Sequence, residues 1–175
     1  MSNSHIYISL GWNCSPRYYI RDIGMSRSNG YRSCPFDLCM TSFAGLCKCI
    51  ETDFKYFFND LALIPGGNAE GDRSKCGVGG INITNHYQMI FNHEGSTHSH
   101  LFKDGINDDL FYIRNDFEQF RNRYEIRIQN YNKYISENHN ITFVYRNHNN
   151  EYDVILLHQL LREKYPNKNI NILEI

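Results

Sequence analysis

Apolar residues fill nearly every position of Ile6-Tyr7-Ile8-Ser9-Leu10 before the run breaks at Gly11. A run that barely alternates predicts a strand buried on both faces, as in a parallel sheet. Ser15-Pro16 then reads as a helix start, with Ser at the N-cap and Pro in the first turn, and Gly24 as its stop. Residues 25 to 36 read as loop. Thr41 or Ser42 can cap a second helix whose inner face holds Phe43, Leu46 and Ile50, with Phe54, Phe57 and Phe58 continuing at helical spacing. The glycine-rich stretch 65–80 predicts a long loop.

Further on, "HYQMIF" over 86–91 predicts a strand that ends at Asn92-His93-Glu94-Gly95. Ile113, Phe117, Phe120, Tyr124, Ile128, Tyr131 and Ile135 recur every three or four residues, the mark of a long amphipathic helix. "ITFVY" over 141–145 predicts a strand. Asn150 and Asp153 mark a helix start, Leu156, Leu157, Leu160 and Leu161 supply its apolar side, and Tyr165-Pro166 ends it, because the residue before proline avoids the helical region. "INILEI" over 170–175 predicts a last strand. Strand, helix and strand over 141–175 form a βαβ unit, which implies parallel pairing. The expectation is a single α/β domain over residues 1–175, with strands 6–10, 87–91, 141–145 and 170–175 in one mostly parallel sheet flanked by helices.

Composition narrows the function classes. The 175 residues carry a net charge of -1 and are 41% hydrophobic and 14% aromatic, which is globular and offers no global basic field for nucleic acid. No apolar run approaches the ~20 residues of a membrane span, and no basic-then-apolar leader is visible at the N-terminus. These features predict a cytoplasmic, reducing setting in which the six cysteines are free thiols.

Chemistry concentrates at strand ends. Cys14, His93, and the trio Arg146, Asn147 and His148 each follow the carboxyl end of a predicted strand, the edge along which α/β sites assemble. A thiol there, at the mouth of a helix, sits near unpaired N–H groups and a positive dipole end, and both favour thiolate. Cys34, Cys39, Cys47, Cys49 and Cys76 read as structural thiols. Cys34-x4-Cys39 and Cys47-x-Cys49, even with His98 and His100, lack the paired spacing of a zinc site, so neither metal nor cofactor is expected. Arg127 interrupts the apolar stripe of the long helix, and a buried arginine needs an anionic partner. Asp37, flanked by apolar residues in "CPFDL", is the expected one.

The segments "ISLGWNC", "CPFDL", "IFNHEG", "YEIRIQNY", "ITFVYR" and "LLREKYPN", in this order, resemble a family of proteins described as "putative papain-like cysteine peptidases". The resemblance spans nearly the whole chain. It departs from the usual family pattern at Leu38 (usually Trp), at Glu94 (usually Asp after the His), and at Glu125-Ile126-Arg127, which keeps one Arg of a pair. Members usually run on past the last strand seen here, which implies a further C-terminal piece. What the resemblance implies is a thiol hydrolase with Cys14 as nucleophile and His93 as base, acting on a peptide, isopeptide or other acyl substrate. Asn147 or Asp37 would orient the imidazole. Asn13, Arg17, Arg127 and Arg146 are the candidate binding side chains. A papain-like α+β layout, with Cys on a helix and His on a largely antiparallel sheet, is less expected than the parallel sheet. The alternative reading is a non-catalytic module that grips an anionic or sugar ligand at the same edge.

Overall fold

A computed structural model of the chain describes residues 4–65, 81–94, 113–146 and 151–175. Two small sheets organise it. Strands β1 (His5–Ser9), β5 (Asn140–Tyr145) and β6 (Asn169–Glu174) form a parallel sheet in the order β1-β5-β6. Strands β2 (Ala62–Pro65), β3 (Ile81–Thr84) and β4 (Ile90–Phe91) form an antiparallel one in chain order. Helices α1 (Ser15–Asp22), α2 (Phe43–Glu51), α3 (Glu118–Glu137) and α4 (Glu151–Lys164) complete the α/β domain.

The parallel sheet has the strands and the pairing that the apolar runs imply. Ile8 aligns with Phe143 and Phe143 with Ile172, so the central strand β5 is buried from Ile141 to Tyr145. The chain from β5 to β6 passes through α4, which stops one residue before Tyr165-Pro166.

The single-sheet expectation is corrected. Residues 86–89 are not strand, Gln88 taking a left-handed conformation with φ 57°. Only Ile90–Phe91 extends, and it pairs antiparallel with β3. The Asn85 side chain dictates this, its Oδ1 accepting from the N–H groups of Tyr87 and Met89 and so folding the chain into a turn. The helix expected to run on to Phe58 ends at Glu51, because Asp53 and Phe54 sit at φ 51° and 61°. Ser42 caps that helix, its hydroxyl accepting from the Gly45 N–H.

An aromatic cluster joins the antiparallel sheet to α3. Phe91 packs 4.9 Å from Phe120 and 4.8 Å from Tyr124, centroid to centroid, and Phe57 lies 5.6 Å from Tyr124. These rings are fully buried. The buried face of α3 is Phe120, Tyr124, Arg127, Tyr131 and Ile135, whereas Ile113 lies before the helix and is exposed.

Segment 38–42 ties the two sheets together. Met40 and Ile90 exchange backbone hydrogen bonds of 2.9 Å, and Thr41 Oγ1 accepts from the Trp12 N–H at 3.0 Å. Gly11 is required where this segment meets the end of β1: its φ is +79°, and a Cβ there would stand 2.6 Å from Thr41 Oγ1. This strap links the loop after β1 to the start of β4.

Candidate active site

Cys14 occupies the N-cap position of α1, directly after the Gly11-Trp12-Asn13 turn. Trp12 is also left-handed, with φ 69°. Asn13 Oδ1 accepts from the Ser15 N–H at 2.8 Å, satisfying one of the donors that head the helix. His93 lies in a 3₁₀ turn, Asn92–Glu94, that directly follows β4. The Cys14 Sγ and His93 Nε2 are 3.0 Å apart, a contact between residues 79 positions distant in the chain. Both side chains are half-buried. The thiol therefore heads a helix, and the imidazole leaves an antiparallel sheet.

The turn carrying His93 is anchored from below by Glu94. This carboxylate is fully buried on the inner face of α3: its Oε1 accepts from Tyr124 Oη at 3.3 Å and lies 3.7 Å from Arg127 Nη2. Arg123 Nε approaches the same oxygen to 3.0 Å as an ion pair, without hydrogen-bond geometry. Arg127 donates in turn to Tyr124 Oη at 2.8 Å, with its guanidinium 4.5 Å from the Tyr124 ring centroid. Arg127 is thus buried and ion-paired as expected, but its partner is Glu94 and not Asp37. Sequence reasoning missed this role. The available signal was a carboxylate next to the candidate base, facing a helix whose apolar stripe an arginine interrupts.

Asp37 is held by a different arginine. Its Oδ2 lies 3.3 Å from Arg17 Nε and accepts from the Cys34 N–H at 3.0 Å. Arg17 also donates to the Met25 carbonyl and stacks 4.5 Å from the Tyr31 ring centroid. Of the other expected binding residues, Asn13 caps α1 and Arg146, exposed at the end of β5, donates to Ser15 Oγ at 2.7 Å. Arg146 and Cys14 therefore share one edge of the parallel sheet. Asn147, His148, Cys76, His98 and His100 lie outside the described residues. Among the described residues no group of three or more His, Cys, Asp or Glu side chains gathers as metal ligands would.

Burial separates the cysteines. Cys34, Cys39 and Cys49 are fully buried, and burial pushes their thiols well up from the ordinary value. Cys47 borders a groove of about 330 Å³ between α2 and α4, but burial pushes its thiol up to about 12, and no histidine lines that groove. Cys14 alone among the described thiols touches an imidazole.

Burial also pushes the Asp37 carboxyl up to about 6 from its ordinary 3.8, with Arg17 opposing. Below about 6 the native state keeps this proton, while the unfolded chain loses it above 3.8, so this group's contribution to stability falls as pH rises between those values. We expect urea unfolding to show wild type gaining on Asp37→Asn by up to roughly 3 kcal/mol between pH 7 and pH 4. A difference that stays flat over this range would contradict the burial argument.

The family described as "Putative papain-like cysteine peptidase (DUF1796)" matches residues 5–175. The chain belongs to this family. No curated protein and no solved structure matches it. Among the described residues, no helix is long and apolar enough to cross a membrane.

Proposed function

We propose that this protein is a cysteine-dependent acyl hydrolase in which Cys14 is the nucleophile and His93 the general base. The observation that carries the proposal is the 3.0 Å contact between Cys14 Sγ and His93 Nε2 at the head of a helix. The positive end of α1 favours negative charge on the sulfur and on an oxyanion formed beside it. Arg146, bonded to Ser15 Oγ, adds a cation on the same edge.

The steps follow from the pair. The imidazole takes the thiol proton, and the thiolate attacks the acyl carbon to form a C–S bond and an oxyanion. Collapse breaks the bond to the leaving group, which receives the proton from the imidazolium. Water then attacks the thioester and gives a proton to His93. The C–S bond breaks, releasing the carboxylic acid and restoring the thiol. Nε2 faces the sulfur, so an orienting partner works through Nδ1. Asn147 is the candidate for that role, since Asp37 is committed to Arg17 and the Cys34 amide.

The test is to trap the acyl-enzyme. Peptide thioesters and isopeptide-linked substrates are mixed with the protein, quenched in acid, and the adduct is mapped by mass spectrometry. Acylation confined to Cys14 is expected. Adducts spread over several cysteines, or none with any acyl donor, would contradict the proposal.

A further inference from the structure

Two adjoining clefts open beside the imidazole. One, of about 180 Å³, is lined by His93, Ser33, Arg17, Arg27, Arg123 and Arg127. The next, of about 320 Å³, shares Arg27, Ser33, Arg123 and Arg127 and adds Arg32. Together they make a trough in which five guanidinium groups gather, in a chain whose net charge is only -1. Two carboxylates pair with three of them: Asp37 with Arg17, and Glu94 with Arg123 and Arg127. Among the described residues no carboxylate pairs with Arg27 or Arg32, and both are exposed.

Arg123 sits at the centre of this cluster, lining both clefts. Arg123 is held below the ordinary arginine value by burial first, with Arg127 and Arg27 adding to the effect and Glu94 opposing it. Folding does not require cations to crowd in this way. The two buried carboxylates are already matched by Arg17, Arg123 and Arg127, and exposed Arg27 and Arg32 bring two further positive charges without a described counter-charge. Such a local conflict is expected where a ligand supplies the missing charge. Guanidinium forks suit oxyanions that accept two parallel hydrogen bonds.

We propose that the trough binds an oxyanion carried by the substrate, a carboxylate or a phosphate monoester, beside His93. Its place as a substrate subsite rests on the thiol-hydrolase reading, but its affinity for anions does not. Arg27 and Arg32 supply the specificity, because their charge is not already spent on a buried partner. Arg123 and Arg127 form the floor and hold Glu94 at the same time.

The test separates the two readings. Cys14→Ser protein, which cannot form an acyl-enzyme through sulfur, is titrated with N-acetylglutamate and with N-acetyl-O-phosphoserine at fixed ionic strength. The arginine Nε–H resonances are followed by NMR. Saturable shifts are expected, weakened at least tenfold in both Arg27→Ala and Arg32→Ala backgrounds. Tighter binding of the phosphoserine would assign a phosphate, and tighter binding of the glutamate a carboxylate. No saturable shift from either probe, or equal binding in the arginine variants, would overturn the proposal. Wild-type Cys14 is treated in parallel with neutral iodoacetamide. A Cys14 no faster than N-acetylcysteine counts against the thiol reading and leaves the anion site standing.

Discussion

Replacing His93 with alanine is expected to slow acylation of Cys14 by about 10²–10⁴-fold, the usual contribution of a positioned general base. Cys14→Ala is expected to abolish it. Neither change should unfold the protein. Both side chains are half-buried at the meeting of a helix start and a 3₁₀ turn, outside the aromatic core. Loss of their mutual hydrogen bond is worth about 1 kcal/mol, a few degrees in melting temperature. The combination is diagnostic. A core cysteine replaced by alanine leaves activity in the surviving folded fraction, whereas a nucleophile leaves a folded and inactive protein. A Cys14→Ala protein that retains acyl transfer, or that fails to fold, would refute the assignment.

The second large effect is expected at Glu94. Glu94→Gln keeps the side-chain shape but removes the only carboxylate described within 4 Å of Arg127. An unpaired charge buried in this way costs about 3–5 kcal/mol. Because Glu94 adjoins His93, the loss should reach the site as well. Urea unfolding should report the stability deficit, and the rate of Cys14 acylation in the still-folded protein should fall through misplacement of the imidazole. Glu94→Asp, which keeps the carboxylate on a shorter stem, should recover part of both. Equal stability of Glu94→Gln and wild type would mean that Arg123 and Arg127 do not depend on this carboxylate.

The parts of the fold legible in the sequence share one property: their signals are local. Ile6 to Leu10 and Ile141 to Tyr145 are apolar at nearly every position because each strand is covered on both faces, and that burial is visible without knowing the partner. Pro16 and Pro166 punctuate α1 and α4 through steric rules that act within two residues. The second sheet was not legible. Its strands span only four, four and two residues, too short for any period to emerge, and they are defined by pairing across the chain. The turn before β4 depends on one amide side chain, Asn85, hidden in a stretch that otherwise alternates like a strand.

The site divides in the same way. Cys14 and His93 could be proposed separately, each from its place after a strand, and family resemblance joined them. Their 3.0 Å contact depends on Thr41, Met40 and Ile90 strapping the two sheets together, and none of those residues looks special in sequence. Arg127 announced itself by interrupting an apolar stripe, yet the choice between Asp37 and Glu94 as its partner is a matter of three-dimensional reach. Arg17, on the helix that follows Cys14, claims Asp37 first and adds a stacking contact with Tyr31. The arginine trough was invisible for a related reason. Its members come from α1, the segment 27–32 and α3, and they converge only after folding.

The most direct test of the central claim is the pH dependence of Cys14 alkylation by iodoacetamide, followed by peptide mass mapping in wild type and in His93→Ala. If the imidazole holds the thiol proton, wild-type Cys14 reacts faster than the other thiols and stays reactive below neutral pH. His93→Ala should shift that profile upward toward an ordinary thiol. Overlapping profiles for the two proteins would show that the 3.0 Å contact does no chemistry, and would leave Cys14 a structural residue.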